Sequence, residues 1–195
     1  MRYNGAMGHP DAEAITQLLA QVRDGDAAAG EVVLPLLYRQ LHASAMAAMR
    51  GEARAVTMQP TALVNECWLR LQRSPGAPYA DRGQFLRLAG RVMRNVLVDV
   101  ARQRQRRPNA AGDVLALDIG GGDTAEVVDF LDLEAAVARL AEHDEQLVQL
   151  VELRYFAGMT LEETAQVLEV STTQVHRMWQ LARAFLLREL RDGRV

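Results

Sequence analysis

MTLEETAQVLEVSTTQVHRMWQLARAFLLREL, residues 159–190, holds two helix starts in close succession. Thr160 with Glu163, and Ser171 with Gln174, each match a capping box: the cap hydroxyl accepts from the helix's third amide, and that third residue reaches back to the cap. Only a tight turn near Glu169 and Val170 fits between them. That spacing predicts a helix-turn-helix. Val175, Met178, Trp179, Ala182 and Leu186 share one face of the second helix, which the first would brace. Thr173, His176, Arg177, Gln180 and Arg183 then point outward, where they can bond base edges and phosphates. An ordinary helical hairpin with a solvated polar face would share this pattern.

Upstream, a helix is predicted from about Gln84 to Arg106. At about 100° per residue, Phe85, Leu86, Ala89, Val92, Met93, Val96, Leu97 and Val100 form one broad apolar stripe, and Arg87, Arg91, Arg94 and Arg102 lie opposite. Solvated helices usually mix charge signs, because opposite charges one turn apart stabilise them. Here almost no acid balances the arginines, so the stripe suits a polyanion or an acidic partner, with a merely soluble face as the alternative.

Charge is segregated along the whole chain, although the net value is only -3. Residues 82–107 carry eight arginines against Asp99, for +7; residues 113–169 carry fourteen acids against Arg139 and Arg154, for -12. Residues 170–195 carry five arginines against Glu189 and Asp192, for +3. Polyanion binding follows such local fields rather than the total. An acidic block between two basic segments could also fold back on one of them.

Before the arginine helix, MQPTALVNECWLRLQ (58–72) reads as an amphipathic helix with Pro60 at its first position and Val64, Cys67, Trp68 and Leu71 buried. Residues 11–24 and 27–50 read as two further helices, with Pro35 in or near a first turn or else at a kink. RSPGAPYADRG (73–83) is a loop by its prolines and glycines. Residues 108–128 lack periodicity and read as a flexible linker, followed by helices over 129–141 and 144–157. The expected fold is all-α: two small helical domains, 11–107 and 129–192, joined by that linker. Aromatics make up only 5% of the chain, which also disfavours a sheet sandwich.

Other chemistries find little support. The single cysteine, Cys67, cannot form an internal disulfide and sits on an apolar face, so a core role is expected. His9, His42, His143 and His176 show no metal-ligand spacing, and no nucleophile or acid–base constellation is present. No apolar run approaches a membrane span, and the N-terminus lacks a secretory signal. No enzyme, cofactor, metal or membrane insertion is expected, and the setting is read as cytoplasmic.

The order of PTALVNECWLRL, FLRLAGRVMRNVLVDVARQRQRR and LVELRYFAGMTLEETAQVLEVSTTQVHRMWQLARAFL resembles the extracytoplasmic-function (ECF) sigma factors of bacteria over about residues 11–190. The resemblance implies an alternative sigma factor that binds core RNA polymerase and promoter DNA. The first domain would bind the polymerase clamp and the melted minus-ten strand, and the second would read the minus-thirty-five element as duplex. Carried onto this chain, Tyr79, Arg87, Arg91, Arg94, Asn95 and Arg102 match the melted-strand segment. Ser171, Thr172, Thr173, Gln174, His176, Arg177, Gln180 and Arg183 match the duplex-reading helix. A free-standing helix-turn-helix regulator is the rival reading, but no dimerisation helix is evident, and a monomer is expected.

Two departures from the family stand out. Glu169 occupies a turn that usually carries glycine. The helix beginning at Pro60 lacks the usual cluster of acids facing the clamp, keeping Glu66 with Thr61 and Asn65 as candidate polymerase contacts. The family includes a kinase-controlled branch with a similar threonine, so phosphorylation of Thr61 by a serine/threonine kinase is expected to supply the missing charge. An anti-sigma factor is a further candidate partner.

Overall fold

The computed structural model describes residues 9–48, 59–73, 80–106, 114–117 and 126–192. Their helices are α1 (His9–Arg23), α2 (Ala27–Ala48), α3 (Pro60–Arg73), α4 (Arg82–Gln105), α5 (Phe130–His143), α6 (Glu145–Val151), α7 (Leu161–Leu168) and α8 (Thr172–Asp192). The all-α class agrees with the sequence. α6 runs directly into a π-helical turn, Glu152–Phe156.

Short polar side chains set most helix starts. Asp26 Oδ1 accepts from the Ala28 and Ala29 amides at 2.9 and 3.2 Å and opens α2, while Gly25 at φ 97° allows the reversal from α1. Asp81 Oδ1 accepts from the Gln84 amide at 2.8 Å to open α4. Asp144 caps α6 through the Gln146 and Leu147 amides.

Two local features differ from expectation. Pro35 lies well inside α2 rather than in its first turn. Its ring removes the donor that the Glu31 carbonyl would take, and both residues are exposed, so water can satisfy that carbonyl. Within the stretch read as a flexible linker, β1 (Val114–Leu117) pairs antiparallel with β2 (Glu126–Asp129), Val114 opposite Asp129 and Leu117 opposite Glu126. Strands of four residues are too short to leave a readable period.

α4 is the central element. One side packs on α1, α2 and α3, and the other on the π turn, α5 and α7. The buried core is therefore continuous from Ile15, Leu41 and Leu63 through Phe85, Leu86 and Met93 to Leu133, Leu150 and Phe156. Each such side chain stabilises the fold by about 1.5–3 kcal/mol on burial. Beyond the predicted stripe, α4 has a second seam: Gly90, Arg94 and Ala101 recur at helical spacing and are buried or half-buried. An ideal Cβ at Gly90 would lie 2.8 Å from the Glu152 carbonyl oxygen and 3.4 Å from Ala157 Cβ, so glycine permits this close approach.

Candidate nucleic-acid and polymerase surfaces

The C-terminal helices form the predicted helix-turn-helix. At Thr160 both bonds of the capping box are made: Thr160 N–H donates to Glu163 Oε2 at 2.8 Å, and Glu163 N–H to Thr160 Oγ1 at 3.1 Å. α7 ends in a left-handed residue, Glu169, at φ 56° and ψ 39°. The Val170 amide then reaches the Ala165 carbonyl at 3.1 Å and the Glu169 amide the Gln166 carbonyl at 3.3 Å, the paired bonds of a Schellman ending. Glutamate thus adopts the conformation that glycine takes most easily. Ser171 Oγ accepts from the Gln174 amide at 3.2 Å and opens α8.

Val175, Ala182 and Leu186 bury one side of α8, with Met178 and Trp179 half-buried beside them. Ser171, Thr172, Thr173, Gln174, His176, Arg177 and Gln180 are exposed together on the first turns. Arg183 differs: it is half-buried, with Nε enclosed and without a hydrogen-bond partner. α8 is tied to α5 by Arg139 and Glu189 at 2.8 Å.

Arg154, on the π turn, is a supporting residue that sequence reasoning missed. It donates to the Met159 carbonyl just ahead of α7, and its guanidinium lies 5.7 Å from the Trp179 ring centroid. One cation thus links the approach to α7 with the body of α8. Burial lowers its pKa, opposed by the nearby charges of Glu162 and Glu163. Its isolated position in an acidic stretch carried no periodic signal.

The α4 arginines divide into two groups. Arg87, Arg91 and Arg102 are exposed, as is Asn95 beside them, and Arg94 is half-buried. Arg87 Nη2 donates to the Val167 carbonyl at 2.7 Å, and Arg94 lies 3.5 Å from Glu134 and 3.2 Å from Glu152. Arg87, Arg91 and Arg94 line a cleft of about 590 Å³ between α4 and the α5–α6 region. Burial pushes the Glu152 pKa up, while Arg94 and then Arg91 pull it down. Tyr79 lies outside the described residues.

On α3, Thr61 is exposed at the second helical position. Asn65 Oδ1 accepts from the Tyr38 hydroxyl at 2.9 Å. Glu66 is held by Arg70 at 2.8 Å, and Arg70 also reaches Asp99 of α4 at 2.8 Å. Two carboxylates therefore share one cation, and Asp99 is an acid of this surface that the sequence did not assign to it. Cys67 is fully buried behind the same helix, and burial pushes its thiol up to about 12, so it is poorly disposed to act as a nucleophile.

Among the described residues no three metal-ligating side chains come together, and no helix is long and apolar enough to cross a membrane. A search of curated proteins finds no match to the chain. A family model for ECF sigma factors matches residues 12–192, a span that takes in every described helix from α2 to α8 and most of α1. The chain therefore belongs to the ECF sigma factor family, non-enzymatic factors that act with RNA polymerase in transcription initiation at promoters.

Proposed function

We propose that this sigma factor engages polymerase through the α3 face and that phosphorylation of Thr61 activates it. The observation that carries the proposal is the electrostatics of that face. Thr61 is exposed in the first turn of α3, which contains no acid, while Glu66 is already committed to Arg70. A phosphothreonine would add about -1.5 to -2 charge where the helix dipole and unpaired amides favour an anion. The new charge could then meet basic groups on the polymerase clamp.

In the same reading, the start of α8 reads an intact duplex at the minus-thirty-five element. The exposed groups from Ser171 to Gln180 suit base edges and phosphates, and the helix N-terminus suits a phosphate. Arg87, Arg91, Arg94, Asn95 and Arg102, with Tyr79, take the melted minus-ten strand, since guanidinium planes and an aromatic ring can stack on unpaired bases. The two helical bodies at 11–107 and 129–192 thus serve separate promoter elements.

The test is co-elution with core polymerase and transcription from a matching promoter, comparing unmodified chain, chain carrying phosphothreonine at position 61, and Thr61→Ala. Gain of polymerase affinity on phosphorylation, absent in Thr61→Ala, is expected. Equal affinity and equal transcription for all three would remove the phosphorylation switch. Failure of every form to co-elute would remove the polymerase role of the α3 face.

A further inference from the structure

Glu169 holds a conformation that the fold does not require of its side chain. It is the one non-glycine residue with positive φ among the described residues, at 56°, a region in which any Cβ is crowded. The ending of α7 uses only backbone: the Glu169 and Val170 amides bond the Gln166 and Ala165 carbonyls, and glycine would make the same bonds. The carboxylate itself is exposed, with no hydrogen bond or ion pair to another described residue. Arg82 and Arg87 border it across a cleft, yet they bond Glu163 and the Val167 carbonyl instead. A strained residue that packing does not need points to a role in function.

Beside the turn, Glu169 shares a shallow groove with Ser171, Thr172 and Gln174, groups that the proposed function gives to the duplex at the minus-thirty-five element. Resting on that reading, we infer that Glu169 is a specificity-determining residue whose carboxylate accepts a hydrogen bond from the amino group of a cytosine in the major groove.

The chemistry of the groove selects the base. A carboxylate only accepts hydrogen bonds, and the major groove offers two donors, the N4 amino group of cytosine and the N6 amino group of adenine. Adenine sets its N7 acceptor beside N6, where it repels a carboxylate oxygen, whereas cytosine has only a C–H in the neighbouring place. Guanine and thymine present acceptors alone to such a group. Cytosine is therefore the base that fits.

Phosphates are poor partners for the same group because the charges are alike. Glu169 thus also disfavours loose backbone binding that ignores sequence. The exposed Arg177 supplies the phosphate attraction that Glu169 subtracts. Glycine at this turn would relax the backbone and remove the reading.

The test is a selection from duplexes randomised over the minus-thirty-five element, captured through the full chain in the presence of core polymerase and then sequenced. Wild type, Glu169→Gly and Glu169→Gln are compared, with Arg177→Ala as a control on the duplex reading itself. Glycine suits a left-handed turn, so Glu169→Gly separates specificity from stability. Wild type is expected to prefer cytosine at one position by about tenfold, within the range for a side chain that reads a base edge. Glu169→Gly should flatten that position alone and bind mismatched duplexes more tightly than wild type does. Glu169→Gln should move the preference toward adenine, since an amide can bond N6 and N7 together.

The same base profile in all three forms overturns the inference, and the duplex reading then stands if Arg177→Ala still weakens binding. Independence of both Glu169 and Arg177 removes the two together. A profile flattened in Glu169→Gly with a lowered Tm, but unmoved in Glu169→Gln, assigns the effect to folding and also overturns the inference.

Discussion

Glu163 divides its carboxylate between two neighbours: Oε2 accepts from the Thr160 amide at 2.8 Å and Oε1 from Arg82 at 2.9 Å. One side chain therefore starts α7 and also ties it to α4. Both partners of the ion pair are mostly enclosed, and Arg82 is further held by Gln40.

Glu163→Ala is expected to lower unfolding free energy by about 1–3 kcal/mol, through loss of the cap and an incompletely satisfied arginine. Glu163→Gln keeps an acceptor for the cap and should lose less. Urea denaturation of the two variants checks the order, and equal losses would contradict the cap's share.

Glu169→Gly should stabilise the chain. A residue with a Cβ costs about 1–2 kcal/mol in the left-handed region, offset in part by the larger freedom glycine has when unfolded. The expected outcome is a gain of about 1 kcal/mol or less, read as a higher Tm. A lower Tm would mean that the Glu169 side chain contributes more than its backbone strain costs.

The raised pKa of Glu152 makes a signed pH prediction. Between the ordinary glutamate value near 4.3 and the raised native value, the folded chain holds a proton that the unfolded chain releases. This group therefore makes stability fall as pH rises through that window, and the loss stays constant above it. Glu152→Gln should remove that slope from a plot of unfolding free energy against pH. An unchanged slope would assign the effect elsewhere.

Cys67 should resist thiol reagents at pH 8 in the native chain and react once the chain is unfolded. Burial both shields the sulfur and keeps it protonated, its pKa standing at about 12. Rapid native labelling, followed with a chromogenic disulfide reagent, would contradict this packing.

Arg177→Ala should weaken duplex promoter binding by the holoenzyme and, if its contact is to a phosphate, reduce the salt slope by about one unit. Comparing binding over a range of salt concentrations with matched and mismatched minus-thirty-five sequences separates backbone contact from base reading. Unchanged affinity at every salt concentration would remove Arg177 from the interface.

Features written in short-range patterns were legible before the structure. Thr160 with Glu163 marked α7, Ser171 marked α8, and the recurrence from Phe85 to Val100 marked the buried side of α4. The second α4 seam was not legible, because Gly90 is meaningful only beside the Glu152 carbonyl, a neighbour distant in sequence. The arginine stripe was visible, but the pairing of Arg94 with Glu134 and Glu152 depends on tertiary packing. For the same reason Asp99 gave no sign that it shares Arg70 with Glu66. Of the two places read for Pro35, a first turn or the body of the helix, α2 takes the second, which local preference alone did not decide.

The π turn at Glu152–Phe156 has a consequence for how this chain can vary in length. A wider turn absorbs an additional residue with little gain in axial rise. Removing a single residue there would restore ordinary helical winding and leave the side chains on either side of the turn in phase, because the smaller rotation per residue of the wide turn is what absorbs the extra one. Arg154 lies inside the turn, so its direction, and with it the link to Met159 and Trp179, would change. Shortening this segment by one would thus preserve helicity and the direction of the helices beyond it, at the expense of the contacts made from inside the turn.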